Sequence, residues 1–377
     1  MGSIPHQGLC RLAGRCCNAA VKPIGVAVVG TGWCGGIRAE TCAAHPLVRS
    51  LHLAEVRQER LAEMQRATGA AGAVADYREL LGSTGIEAMF VCATPESAHF
   101  PMARDCLAAG KHVFLEKPIA MELAEADELI ALARRNRLKL TIGYSQRFNP
   151  KYAYVRKAIR DGTIGRPVSA LVSRHITRGL GEKISGRTRL SPAAMEATHD
   201  LDFVLWCLEP AQPVRVYSQA NYGAMQAHAA EGARIPDTQW ITVTMDSGLS
   251  FVVGAGWSLP PGYPNFSTTW IEMVGTEGAV MVDDSHRDVL VNTMAKGMQL
   301  PMSSMPGERV EHTFAGPMAA ETIHFLEACA LDRPVMVSPE QARAVMEVYL
   351  AADLSAERNE PVSLPLQWPK KIRSASA

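Results

Sequence analysis

No stretch of the chain approaches the roughly 18 uninterrupted apolar residues that a membrane helix needs, and its first residues lack the apolar core of a secretory signal. The sequence has no surplus charge of either sign: 38 Lys and Arg stand against 38 Asp and Glu over 377 residues. Nucleic acids and anionic membranes are gripped by excess cations. Neither is expected as a partner; a small neutral or weakly charged ligand and a cytoplasmic setting are. The nine cysteines are odd in number and most fall inside apolar or helical patterns, which reads as reduced core thiols, not a disulfide framework. Cys10, Cys16 and Cys17 lack a second Cys or His cluster at zinc-ligand spacing. No acidic cluster suggests a metal, no Ser or Cys triad suggests a covalent nucleophile, and no internal repeat is apparent.

What is present is an ordinary globular composition, 47% hydrophobic and 20% charged, at a length that suits two domains. Residues 1–22 have no clear period and read as an extension. From residue 24 short apolar runs alternate with helical patterns: strands over 24–29, 51–54, 88–93, 112–115 and 139–143, with helices between them. Such alternation implies right-handed crossovers and a parallel sheet covered on both faces. After about residue 165 the texture becomes β-rich, with runs at 168–173, 214–221, 240–245, 249–253, 269–274 and 289–292. Turn signals at 246–248 and 275–278 join them into a mostly antiparallel sheet. A helix opens at Ser191-Pro192, two more cover 317–331 and 339–358, and the Met-rich stretch 294–305 reads as a loop or lid. The expected organisation is an α/β domain with a parallel sheet over 23–143, an α+β domain with a mostly antiparallel sheet over 144–366, and a tail over 367–377.

Gly30-Thr31-Gly32-Trp33-Cys34-Gly35 fits G-x-G-x-x-G between the first strand and a helix. In that setting the first glycine permits the tight turn, the second lets backbone approach a pyrophosphate and the third lets helix and strand pack closely. The phosphates then meet a helix N-terminus. Glu55 follows 20 residues after Gly35 at the end of the second strand. A carboxylate there accepts ribose hydroxyls and repels a 2'-phosphate, so NAD is expected, with NADP as the alternative because Arg57 and Arg60 are close by.

Thr94-Pro95, His99, Glu116-Lys117-Pro118, the segment 143–150, Gly162-Thr163-Ile164-Gly165-Arg166-Pro167, Thr198-His199-Asp200-Leu201-Asp202 and Gly275-Thr276-Glu277-Gly278 follow in an order and spacing that resembles the Gfo/Idh/MocA family of sugar and cyclitol oxidoreductases. The resemblance covers about residues 24–366. It implies an α/β Rossmann domain over 23–143 with a dinucleotide cleft lined by the glycine loop, Thr94, Pro95, His99, Glu116 and Lys117, and an α+β domain over 144–366 whose large, mostly antiparallel open-faced sheet is used for homodimer or homotetramer contacts. It also implies that Lys117 reaches nicotinamide ribose and the reacting oxygen, and that His199 is the acid/base. Physics supports the division: an ammonium stabilises negative charge developing on a hydroxyl being oxidised, and an imidazole accepts its proton.

Leu201, Val204, Leu205 and Leu208 form a core-facing stripe that leaves His199, Met195, Asp202 and Trp206 on the opposite face, toward the cleft. Many family dehydrogenases carry an acid four residues before the histidine, where this chain has Met195. Glu196, or Asp202, is expected to serve His199 instead, and a carboxylate there would raise the imidazole pKa. Tyr144, Arg147, Arg174, His175 and Trp257 are the expected substrate contacts. The function implied is hydride transfer between NAD(P) and a secondary hydroxyl or ketone of a sugar, glycoside or cyclitol. Two other readings stay open: hydrolysis or elimination through transient oxidation, and a non-catalytic dinucleotide-binding regulator.

Overall fold

The computed structural model describes residues 22–185, 190–228, 234–265, 267–284, 289–299 and 309–367. Cys10, Cys16, Cys17, most of the N-terminal extension and of the tail, and part of the Met-rich stretch lie outside these residues. The chain begins with strands β1 (Ile24–Val29), β2 (Val48–Ala54), β3 (Gly72–Val74), β4 (Ala88–Val91), β5 (His112–Leu115) and β6 (Leu140–Ile142). They form one parallel sheet in the order β3-β2-β1-β4-β5-β6. Helices α1 (Trp33–Ala43), α2 (Gln58–Thr68), α3 (Arg78–Leu81), α4 (His99–Ala108) and α5 (Leu123–Arg135) make the crossovers. Every residue of β1 and β4 is buried, as a sheet covered on both faces requires. The order reverses between β1 and β4, and the cleft opens beyond the carboxyl ends of these strands, the usual ligand position in such sheets. β3 is missing from the strands expected from sequence, because three half-buried residues at a sheet edge carry no readable period.

The second half contains α6 (Pro150–Arg160), β7 (Pro167–Thr177), α7 (Arg178–Ser185), a π-helical turn (Ala193–Ala197), α8 (Thr198–Leu208), β8 (Pro213–Asn221), β9 (Thr238–Met245), β10 (Ser250–Leu259), β11 (Ser267–Gly275) and β12 (Ala279–Asp283). Two hairpins follow, β13 (Val291–Thr293) with β14 (Gly297–Gln299) and β15 (Arg309–Val310) with β16 (Thr313–Phe314). Then come α9 (Pro317–Ala330), α10 (Pro339–Arg358) and β17 (Val362–Ser363). The sheet order is β12-β11-β7-β10-β9-β8-β17, with only β7 and β10 parallel. In β7, Ala170, Val172, Arg174 and Ile176 point to the covered face, and the intervening residues point to the open one.

The run expected as a strand at 289–292 is instead the start of the separate β13–β14 hairpin, outside the large sheet, with Met294 fully exposed at its tip. Helix α9 returns to the first sheet: Phe325 packs edge-on against Phe90 (5.2 Å) and Phe114 (5.7 Å), and the guanidinium of Arg38 lies 3.9 Å over the Phe114 ring. This aromatic cluster ties the late chain to the first sheet. Phe325→Ala should therefore lower stability by about 3–5 kcal/mol, the usual cost of emptying a buried aromatic site. Thermal and denaturant melts check this; an unchanged midpoint would show that α9 does not hold the first sheet.

Candidate active site

The glycine loop meets the demands of a dinucleotide cradle position by position. Gly30 has φ +80° and a Cβ there would sit 2.8 Å from Ala93 Cα; a Cβ on Gly35 would sit 1.8 Å from the Gly30 carbonyl oxygen. Neither place tolerates a side chain. A Cβ on Gly32 meets nothing within 4 Å, so the space above the N-terminus of α1 is open. No side chain caps that helix and its first turn holds no acid, leaving its N–H groups and dipole for an anion. These features fit a bound NAD, whose phosphates the loop would hold, with Lys117 at the other end of the same cleft. Cys34 is no nucleophile there: burial, and then Glu116, push its thiol up to about 12.

Glu55 ends β2 as expected, with its carboxylate already engaged. It accepts from the Thr31 N–H (2.9 Å) and hydroxyl (3.1 Å), and from the N–H and Nε of Arg57 (both 3.0 Å). Burial works to raise its pKa, but these hydrogen bonds outweigh burial and hold it at about 2. His99 sits beneath the cleft, with Nδ1 2.8 Å from the Pro118 carbonyl and Nε2 3.0 Å from that of Ala93. His99 also lines the cleft, as expected, while its ring nitrogens tie together the loops after β4 and β5. Thr94, Glu116, Trp33 and Arg57 line the cleft, which encloses about 980 Å³.

At the other end, Lys117 donates to the Met195 carbonyl (2.8 Å). Met195 lies in the π-helical turn that precedes α8. Such turns widen the backbone ladder and recur at functional sites. The chain that lacks an acid at 195 thus meets the lysine with a main-chain oxygen. Glu196 and His199 both line the cleft, but they are not paired. Glu196 Oε1 accepts from the Trp257 indole (3.2 Å), and His199 Nδ1 is buried without a hydrogen-bond partner. Burial first, then Lys117 and Arg174, push the His199 pKa well below 6.5. The expected raised pKa is overturned, because the nearest charges are cations and Glu196 is turned toward the indole.

Asp202 is likewise no helper of the imidazole. It is fully buried and held by Arg147, Nε to Oδ2 at 2.8 Å and Nη2 to Oδ1 at 2.6 Å. Trp206, also placed toward the cleft by the helical wheel, is buried with Arg147 and Arg156 over its ring. Asp200 pairs with Arg174 in the same bidentate way, both bonds 2.7 Å.

Of the expected substrate contacts, only Arg174 lines the cleft. Tyr144 is buried, bonds Thr198 (2.9 Å) and stands edge-on to the His199 ring, so it supports the histidine from behind. Arg147 is consumed by Asp202. Trp257 is 1% exposed and serves Glu196. His175 points to the open sheet face, beside Ser258 and Trp240, because its neighbour Arg174 points inward. Gln146, Asn149 and Lys183 line the cleft instead, and the Gln146 amide oxygen accepts from Arg174 (2.6 Å) while its nitrogen donates to Tyr152 (3.1 Å). Gln146 and Asn149 lie in the 143–150 segment already singled out. Lys183 had no sequence signal beyond its proximity to β7.

The turn that carries Glu196 and leads into α8 and His199 is fixed from below. Ser191 donates to Asp353 (2.9 Å) and accepts from the Ala194 N–H (3.2 Å), and Gln239 joins Asp353 (3.1 Å) to the Ala193 N–H (3.3 Å). Burial raises Asp353 to about 6, against these hydrogen bonds. Among the described residues no helix is long and apolar enough to cross a membrane, and no three His, Cys, Asp or Glu are grouped to hold a metal ion.

Comparison with known proteins agrees with this geometry. The chain is 25% identical over 346 residues to the myo-inositol 2-dehydrogenase of Thermotoga maritima, covering 90% of this chain and 98% of that one. Its fold matches the scyllo-inositol dehydrogenase of Lactobacillus casei, solved with NAD(H) and scyllo-inositol bound, with a TM-score of 0.78, 20% identity and coverage of 91% and 99%. A protein from gentamicin A biosynthesis solved in complex with NAD superposes with a TM-score of 0.78 at 22% identity, over 97% of this chain and 100% of that one. Residues 24–144 match the model of an oxidoreductase family with an NAD-binding Rossmann fold, and residues 152–281 match the GFO/IDH/MocA C-terminal domain. The glycine cradle, the Glu-Lys-Pro lysine and the large second sheet thus have one explanation: the chain belongs to the Gfo/Idh/MocA family of NAD-binding oxidoreductases.

Proposed function

We propose that the protein is an NAD-dependent dehydrogenase that oxidises a secondary hydroxyl of a cyclitol or sugar, or reduces the matching ketone. The observation that carries this reading is the convergence of Lys117 and a neutral, partner-free His199 at one end of the dinucleotide cleft. NAD, when bound, takes up the hydride. Lys117, steadied by the Met195 carbonyl, places positive charge beside the reacting oxygen as negative charge builds there. His199 accepts the hydroxyl proton, and its depressed pKa keeps it in the basic form at neutral pH. Glu196, held on one oxygen by Trp257, turns to a neighbouring substrate hydroxyl, and Gln146, Asn149 and Lys183 offer further polar contacts. The relatives named for inositol oxidation support a cyclitol as the first substrate to try. The open sheet face, where Tyr217, Trp240 and Met281 are exposed, is the surface on which a second copy of the chain would pack.

Two outcomes test this reading. Lys117→Met should lower turnover by about 100-fold or more while NAD binding stays within a few-fold; near-normal turnover would remove the lysine from the chemistry. The second concerns pH. A base whose pKa lies well below 6.5 is already deprotonated at 6.5, so kcat/KM for oxidation should be flat from pH 8 down through 6.5 and fall only below it. A rising limb centred at or above 6.5 would contradict the site electrostatics.

A further inference from the structure

The adenosine end of the cleft contains an arrangement that the rule of an acidic residue after β2 does not describe. Glu55 is 5% exposed at its side chain, and five donors converge on it: the Thr31 N–H and hydroxyl, and the N–H, Nε and Nη2 of Arg57, at 2.9 to 3.3 Å. A carboxylate offers about four lone-pair sites. It has none to spare for a ribose. Glu55 and Arg57 both line the cleft, but the exposed group is the Arg57 guanidinium, 62% exposed, with Nη1 free of any hydrogen bond among the described residues. The other nearby guanidinium, that of Arg60, is not part of the cleft lining. Arg60 donates Nε to the Thr31 carbonyl (2.8 Å), its Nη1 pairs with Glu63 (2.8 Å), and it braces the glycine loop.

We propose that this end of the cleft accepts a 2'-phosphate as well as a plain ribose, so that the chain binds both NADP and NAD, with Arg57 as the residue that moves between the two states. In the NAD state Arg57 stays folded on Glu55, as the structure has it. For NADP the guanidinium leaves Glu55 and forms paired N–H bonds to the phosphate, the geometry for which arginine is suited. Glu55 does not become an orphan. It keeps the Thr31 N–H, the Thr31 hydroxyl and the Arg57 N–H, so both of its oxygens remain hydrogen-bonded. Arg57 is also the N-cap of the eleven-residue helix α2, whose first-turn N–H groups favour an anion. Glu59 in that turn and the remaining charge of Glu55 oppose it. The gain from Arg57 is offset by these charges and by two lost bonds to Glu55, so the outcome is comparable affinity and not a reversal toward NADP.

The inference rests on the dinucleotide reading of the cleft, and direct binding separates the two. Fluorescence titration of the full chain with NADH and NADPH should give dissociation constants within about tenfold of each other, the NADPH value rising more steeply with salt. Arg57→Ala should widen the NADPH to NADH ratio by at least about tenfold, chiefly through weaker NADPH binding, and Arg57→Lys should recover part of it. The same order should appear when 2',5'-ADP and 5'-AMP displace NADH. A wild-type gap wider than tenfold in favour of NADH, or an Arg57→Ala variant whose ratio does not change, overturns the proposal and leaves the NAD reading intact. Failure of both reduced dinucleotides to bind would overturn both readings.

Discussion

Helix α8 carries two aspartates that have lost contact with water, and the placement of the histidine just before them depends on how those charges are met. An isolated carboxylate in such surroundings would be strongly unfavourable, and a buried pair is tolerated only when geometry and hydrogen bonding are good. Asp200 is met by Arg174 from β7 and Asp202 by Arg147 from the segment that follows β6, each through two hydrogen bonds of 2.6 to 2.8 Å. Because the two arginines come from different parts of the chain, the pairs fix both the rotation and the depth of α8. His199, one residue before Asp200, then has one place to point. The Tyr144 ring closes its back, and the Ser191–Asp353–Gln239 network holds the turn that precedes it.

The electrostatic character of the site follows from where those charges are spent. Burial is the first cause of the lowered His199 pKa, and two cations add to it: Lys117, whose partner is a neutral carbonyl, and Arg174, which is paired but still acts on the histidine. Protonation of the ring is disfavoured before any substrate arrives. Behind Glu116 a second buried group repeats the theme. Arg38 bonds Glu116 (2.8 Å) and Glu321 (2.7 Å), and burial carries Glu321 up to about 8. The late helix α9 is thus tied by a shared guanidinium, as well as by Phe325, to the strand end from which Lys117 projects.

The parallel sheet, the glycine cradle and Glu55 were legible in the sequence because each leaves a local mark: a run of six buried residues, a glycine spacing, a carboxylate at a strand end; Lys117 and His199 were singled out through the family resemblance. The side chains around them were less so. Asp202 and Trp206 share a helix face with His199 on a wheel, but whether a polar face looks into a cleft or onto a buried arginine is decided by an element far away in sequence. The π-helical turn has no compositional mark, and with it went the position of Glu196 relative to the histidine. His175 is different. Strand parity already placed Ala170, Val172 and Ile176 on one face, so Arg174 and His175 could not both face the cleft, and alternation would have separated them. Trp257 and β3 show the opposite limit, where a correct residue or element is set by contacts no short window contains.

The most direct test of the central claim is to count reduced dinucleotide against substrate consumed, with purified protein, NAD and a panel of inositols and sugars. A dehydrogenase acting through Lys117 and His199 releases one NADH for each molecule oxidised, and the corresponding ketone accumulates in equal amount. Substrate loss with no net NADH would show that oxidation is only a passing step of hydrolysis or elimination and would contradict the account.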